Sequence, residues 1–263
     1  GLSAPGAVEQ LMQALDEARL EPSEKELQEL LTELTSKALV TTLKWLPRLS
    51  NERARTILDQ AISQLAEARS DLIQTALDSG DFAVILEALR LVEERKLTGL
   101  SEHLVTLAEH EDIRVRTALV PALISAPTAQ TMKALVTLLG DPDPDIRIGA
   151  VQGLSTHTYI GALEAVEAVV LNPNGTSGLT ERRAFFEAYG SIAGESAVPA
   201  LKVLILGGGF GRGRGDSDTR ACATLALGRV GTCSARLILQ KVAEDQDVVV
   251  RTAAARALRQ EDT

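Results

Sequence analysis

An arginine returns five times in the C-terminal half of this chain, at positions 116, 147, 182, 220 and 251. Guanidinium groups spaced by 31, 35, 38 and 31 residues have two chemical uses. They can line up as a ladder that grips carboxylates or phosphates, or they can brace a recurring turn by donating to its carbonyls. A residue that recurs at one position of a repeat serves the repeat. A structural role within the repeat is therefore expected of it. Other chemistry is thinly provided. Asp141, Asp143 and Asp145 crowd oxygen ligands into one turn, but a Ca²⁺ cage needs six to eight oxygens and a later Glu. Two prolines interrupt that turn and a helix starts at once, so the expectation is helix capping and no metal. His103, His110 and His157 lack the spacing of a metal site. No Ser-centred elbow, Walker loop or Cys/His pair is present, so neither catalysis nor a cofactor is expected.

The elements that must carry these residues are helices. After each Arg, small or apolar residues stand three and four places on, a small residue six on and a large one seven on. Examples are Ala150, Val151, Gly153 and Leu154 after Arg147, and Ala223, Thr224, Ala226 and Leu227 after Arg220. That spacing is one face of a helix, and its small residues allow close approach of a second helix. Acidic or polar caps precede each Arg: Glu111-Asp112, Asp141 to Asp145, Thr180-Glu181, Asp216 to Asp218, and Asp245 to Asp247. Between these helices lie others, over 128–139, 162–171, 196–206 and 234–243. No sustained two-residue alternation marks a strand. The expected fold is all-α, an α-solenoid of stacked helical hairpins.

This pattern resembles the HEAT repeat, in the bacterial variety also found in phycobilin lyases. The segments that carry the resemblance are Gly140-Asp-Pro-Asp-Pro-Asp-Ile-Arg147 and Thr219-Arg-Ala-Cys-Ala-Thr-Leu-Ala-Leu-Gly-Arg-Val-Gly231. It covers residues 111–263 well and specifies a fold far more than a function. The third unit departs from it, with Phe185, Phe186 and Tyr189 where smaller residues are expected. Residues 1–110 form an irregular, helical N-terminal part, continuous with the regular repeats. There Ser23 and Glu26 make a capping box, helices are expected over 37–46, 51–68, 71–77, 81–94 and 101–109, and Phe82 stands where the Arg belongs.

In a resembling HEAT solenoid the second helix of each unit, which starts near the repeated Arg, lines the concave face. Positions one, five and nine after the Arg then face the groove. In the last three units they include Arg183, Glu187, Arg229 and Arg256. Between two of these units lies the glycine-rich run Gly207 to Gly215, with Arg212 and Arg214. Glycine-rich backbone and two guanidiniums can wrap an anion, although the Lys-Ser/Thr ending of a phosphate loop is missing. Arg183, Glu187, Arg212, Arg214, Arg229 and Arg256 are accordingly the candidate partner-binding residues, and an acidic protein surface is the expected partner.

Composition limits the alternatives. The net charge is −9, opposite in sign to a phosphate-backbone binder. Residues 1–111 hold 20 acidic against 11 basic side chains, and the rest 16 against 16. The resemblance also admits a nucleic-acid-binding protein of the DNA glycosylase type, whose grooves are basic and aromatic, or a chromophore-attachment factor like the phycobilin lyases. Trp45 is the only Trp, and it lies outside the regular repeats, so nucleic acid is disfavoured. Aromatic residues make up 3 %, which favours a thin architecture packed by Ala, Leu, Val and Ile. Apolar runs such as Ala200–Leu206 fall short of a membrane span and no signal peptide is evident. Two cysteines do not make a disulfide framework, so a reducing, cytoplasmic setting is expected. The function expected is a non-catalytic protein–protein interaction scaffold or regulatory domain.

Overall fold

The computed structural model describes residues 5–20, 22–32, 35–207 and 215–261. Among them there are helices and turns and no strand, so the fold is all-α, built from stacked helical hairpins. The chain forms two compact units, residues 1–131 and 132–263. This division falls at Thr131/Met132, whereas the repeat pattern becomes regular after residue 110. Compactness and regularity are different properties and need not change at the same place.

The first unit holds α1 (Pro5–Asp16), α2 (Glu24–Thr32), α3 (Ser36–Trp45), α4 (Glu52–Ala68), α5 (Ser70–Leu77), α6 (Phe82–Arg95), α7 (Ser101–Thr106) and α8 (Ile113–Ser125). Helix α9 (Ala129–Leu138) runs through the division. The capping box at α2 is formed: the Ser23 backbone N–H donates to Glu26 Oε2 at 2.9 Å and the Glu26 N–H to Ser23 Oγ at 3.3 Å. Asp16 accepts from the N–H groups of Ser50 and Asn51, and the Asn51 amide donates to the Leu15 carbonyl. These bonds tie the end of α1 to the start of α4. Val8, Met12 and Leu15 of α1 are buried, as are Leu58 and Ile62 of α4. Phe82, in the place of the repeated Arg, is half exposed, and the Arg114 guanidinium of α8 stacks 4.2 Å from its ring centroid.

The second unit contains α10 (Pro144–Thr156), α11 (Leu163–Leu171), α12 (Leu179–Ala193), α13 (Val198–Leu206), α14 (Ser217–Val230), α15 (Cys233–Val242) and α16 (Val248–Glu261). Helices α11, α13 and α15 each pack on the helix that follows. Helices α10, α12, α14 and α16 pack on one another in order. This row of second helices carries the repeated arginines.

The turn before each of these helices follows a local code. Asp143 caps α10 by accepting from the N–H groups of Asp145 and Ile146, while its own N–H donates to the Asp141 carboxylate. Asp245 and Asp247 repeat this arrangement before α16. The Arg four residues after the cap then turns back. Arg147 Nη1 donates to the carbonyls of Asp141 at 2.6 Å and Pro142 at 3.0 Å. Arg251 does the same to Asp245 and Gln246, and Arg116 of α8 to His110 and Glu111. Asp141 and Asp143 are thus occupied in turn and cap, and Asp145 takes part through its backbone N–H.

Bonds also run from one repeat to the next. Arg147 Nε and Nη2 form a fork on the Glu181 carboxylate, at 2.5 and 3.0 Å. Arg220 donates to the Ile205 carbonyl and pairs with Asp245. Arg182 reaches Thr219 Oγ1 at 3.1 Å, but its Nε is buried without a hydrogen-bond partner. That unit is the irregular one, and Phe185, Phe186 and Tyr189 fill its core, the Tyr189 hydroxyl donating to Glu167.

The small residue six places after each Arg has a specific use. A side chain at Gly190 of α12 would run into the carbonyl of Ala226 on α14, and one at Gly228 of α14 would stand 2.8 Å from Ala257 Cβ on α16. Position eight of one helix therefore meets position six of the next. Between Leu206 and α14, the Gly215 N–H donates to the Leu204 carbonyl at 3.1 Å, which draws the ends of the glycine-rich segment together. Its residues 208–214, Arg212 and Arg214 among them, lie outside the described residues.

Two outcomes test this packing. Gly190→Ala has no room to relax against backbone and should lose about 1–3 kcal/mol in urea unfolding; an unchanged midpoint would contradict the close approach. Glu181, 3 % exposed, holds Arg147, so Glu181→Ala strands a buried guanidinium and should cost about 3–5 kcal/mol. Burial alone would raise the Glu181 carboxyl, but hydrogen bonds from Arg147 and Ser177 outweigh it and hold it below the ordinary 4.5. A carboxylate with a lowered folded pKa stabilises above its unfolded value and loses that contribution as pH falls through the folded one. The wild type's advantage over Glu181→Ala should therefore be full at pH 7 and shrink as pH drops below 4.5.

Candidate functional site

The repeated arginines give a common register for the faces of the second helices. The fifth and ninth residues after Arg147 are Gln152 and Thr156, after Arg182 they are Glu187 and Ser191, and the ninth after Arg220 is Arg229. With Ser155, Ala184 and Ala188, these residues line one groove of about 360 Å³ across α10, α12 and α14. Two alanines and six polar or charged side chains line it. Thr156 Oγ1 donates to the Gln152 carbonyl at 2.9 Å and Ser191 Oγ to the Glu187 carbonyl at 3.1 Å. Both hydroxyls have given their proton to their own helix, so they offer lone pairs to the groove.

Glu187 stands at the centre of the charges. Arg183 Nε donates to its Oε1 at 2.6 Å, and Arg229 Nη2 to its Oε2 at 3.0 Å. The first bond lies within α12, four residues apart, and the second joins α12 to α14. Burial pushes the Glu187 carboxyl up, yet hydrogen bonds from Arg183 and then Arg229 prevail and leave it below its usual value. Three of the candidate residues are thus one cluster: Arg183, Glu187 and Arg229. Arg256 is exposed on α16, and no ion pair holds it among the described residues. Arg212 and Arg214 cannot be placed, since they fall outside those residues. The face is less basic than its arginines suggest, because Glu187 neutralises one of the two beside it.

A second groove lies in the first unit. It measures about 480 Å³ and is lined by Leu46, Pro47, Arg55, Thr56, Asp59, Gln60, Glu87 and Arg90. Here the charges are inverted. One guanidinium, Arg90, donates to three carboxylates, those of Asp59, Glu87 and Glu94. Burial works against the Arg90 charge, but these carboxylates raise its pKa. The candidate residues drawn from the sequence omit this cluster. Glu87, Arg90 and Glu94 sit at three- and four-residue spacing on one helix, which was a readable signal, whereas Asp59 is supplied by another helix.

Neither groove presents an activated nucleophile. Cys222 is buried, which raises its thiol to about 11, and Cys233 is exposed at the start of α15. Among the described residues no group of three or more His, Cys, Asp or Glu is placed to hold a metal ion, and no helix is long and apolar enough to cross a membrane.

A family model of HEAT repeats matches residues 69–155 and 101–177. No curated protein matches in sequence. Similar solved structures include an engineered protein, 18 % identical with a TM-score of 0.41, over 90 % of this chain and 78 % of that one. Another is human deoxyhypusine hydroxylase in complex with glycerol, 17 % identical with a TM-score of 0.35, over 97 % of each chain. The sequence match is to HEAT repeats as a whole and does not extend to their phycobilin-lyase variety. It begins at the α5–α6 hairpin, where the periodicity is still irregular, and runs on into the regular units. The hairpins over residues 69–177 carry the match, and this part of the chain is built of HEAT repeats.

Proposed function

We propose that this chain is a non-catalytic protein-interaction module, and that the groove across α10, α12 and α14 receives an acidic segment of a partner protein. The observation that carries this reading is the groove's lining. Gln152, Thr156 and Ser191 offer hydrogen-bonding groups suited to a peptide backbone, and Arg229 and Arg183 stand beside them with Arg256 on the next helix of the row. Stacked repeats make open surfaces of this kind and seldom enclose a reaction. The Thr156 and Ser191 hydroxyls already donate to carbonyls of their own helices. Nucleic acid suits the chain poorly, given its net charge of −9.

The test uses an immobilised array of acidic, neutral and basic peptides together with a duplex DNA control at low salt. The wild-type protein should be retained on acidic peptides. The double variant Arg183→Glu with Arg256→Glu should lose that retention by about tenfold or more while its thermal melt stays in place. Retention that does not change in the double variant, or a preference for DNA, would overturn the reading.

A further inference from the structure

Two kinds of guanidinium stand out among the described residues of 132–263. Arg147 and Arg220 have side chains only 16 and 6 % exposed. Arg147 spreads its nitrogens over two carbonyls and a forked carboxylate, and Arg220 over a carbonyl and an Asp. Arg183 and Arg229 have side chains 38 and 48 % exposed, and each reaches Glu187 through a single nitrogen. A guanidinium grips a carboxylate best through two parallel N–H bonds. Neither Arg makes that fork, so each keeps donor capacity that Glu187 does not use. The carboxylate they share is itself 20 % exposed and lines the groove.

We infer that Glu187 is the resident occupant of a carboxylate-binding site, and that an Asp or Glu side chain of the partner segment takes Arg229 and Arg183 from it on binding. This rests on the function proposed above and adds the residue that sets its affinity. The exchange leaves Glu187, only 20 % exposed, without its guanidiniums beside a second carboxylate, so Glu187 opposes binding. Net affinity then comes from the forks the incoming side chain can complete and from Gln152, Thr156 and Ser191 along the groove. Glu187 acts as a built-in competitor. It keeps two arginines paired in the free protein and sets a threshold that a neutral segment cannot cross.

The competitor role predicts that removing a groove residue strengthens binding. The probes are fluorescein-labelled 12-residue peptides repeating Glu-Gly-Ser or Lys-Gly-Ser, titrated with the full chain at fixed ionic strength and read by anisotropy. Glu187→Gln should bind the Glu peptide about tenfold more tightly than wild type. Glu164→Gln, the same charge change at an exposed position of α11, should shift it less than about twofold. Arg229→Gln should weaken it about tenfold. If wild type prefers the Glu peptide but Glu187→Gln is no tighter, or no tighter than Glu164→Gln, Glu187 only braces the helices; the exchange is then wrong while the acidic-segment reading stands. If wild type and Glu187→Gln alike fail to prefer the Glu peptide over the Lys peptide, both fall. Should Glu187→Gln melt before it can be titrated, Arg229→Gln decides, and unchanged binding by that variant overturns the exchange.

Discussion

A guanidinium folded back onto two peptide carbonyls holds the hairpins of this protein closed. The tight turn between paired helices leaves carbonyls that no helix can satisfy, and a polar group left unpaired away from water is costly. Arg116, Arg147 and Arg251 solve this in the same way, each giving one nitrogen to the carbonyls six and five residues before it. Lysine could not substitute, because Arg147 must serve the turn and fork onto Glu181 of the next repeat at the same time. Helices α12 and α14 are held differently, by Arg182 on Thr219 and by Arg220 on the Ile205 carbonyl and Asp245. Across these two helices position eight of α12 meets position six of α14, and Glu187, Ser191 and Arg229 line the groove.

Much of this was legible in the sequence because it is local or periodic. The cap of α10 by Asp143, the capping box at Ser23 and Glu26, and the small residues at 226 and 257 all follow from spacing and helix geometry. Counting five and nine places from the repeated Arg also reaches Glu187 and Arg229, which the structure places in one groove, whereas Arg183, one place after its Arg, stands beside the lining. What remained hidden depends on a second helix. Gly190 and Gly228 are unremarkable in a list of helical residues until the facing Ala226 and Ala257 show why no side chain fits. Glu187 appeared as one charge among arginines, and only the approach of α14 shows that it neutralises Arg229. Helix α1 carries a readable pattern of Val8, Met12 and Leu15, but lacks the repeated Arg and acidic turn on which the rest of the pattern was aligned.

The two units use one register position in opposite ways. Glu87 stands five residues after Phe82, the place of the missing Arg, and Glu187 stands five after Arg182. In the first unit the central group is a cation, Arg90, surrounded by three carboxylates. In the second it is an anion, Glu187, between two cations. The uneven charge along the chain is therefore reflected in its grooves and is more than a bulk property of the surface. Both fifth positions are Glu, so the difference comes from their neighbours: Arg90, Asp59 and Glu94 in one unit, Arg183 and Arg229 in the other.

On the proposed function, arginine serves this chain both as frame and as contact. A frame arginine needs burial and several acceptors, since each bond it makes offsets the cost of removing its charge from water. Arg220, nearly inaccessible and held by Ile205 and Asp245, meets that condition. An arginine meant to meet a partner needs the reverse: exposure, few internal bonds, and one neighbour that holds it in place without saturating it. Arg183 and Arg229 have that arrangement through Glu187. Exposed charges left wholly unrestrained would lose side-chain entropy on binding. A single shared carboxylate removes part of that cost beforehand, at the expense of competing for the same donors.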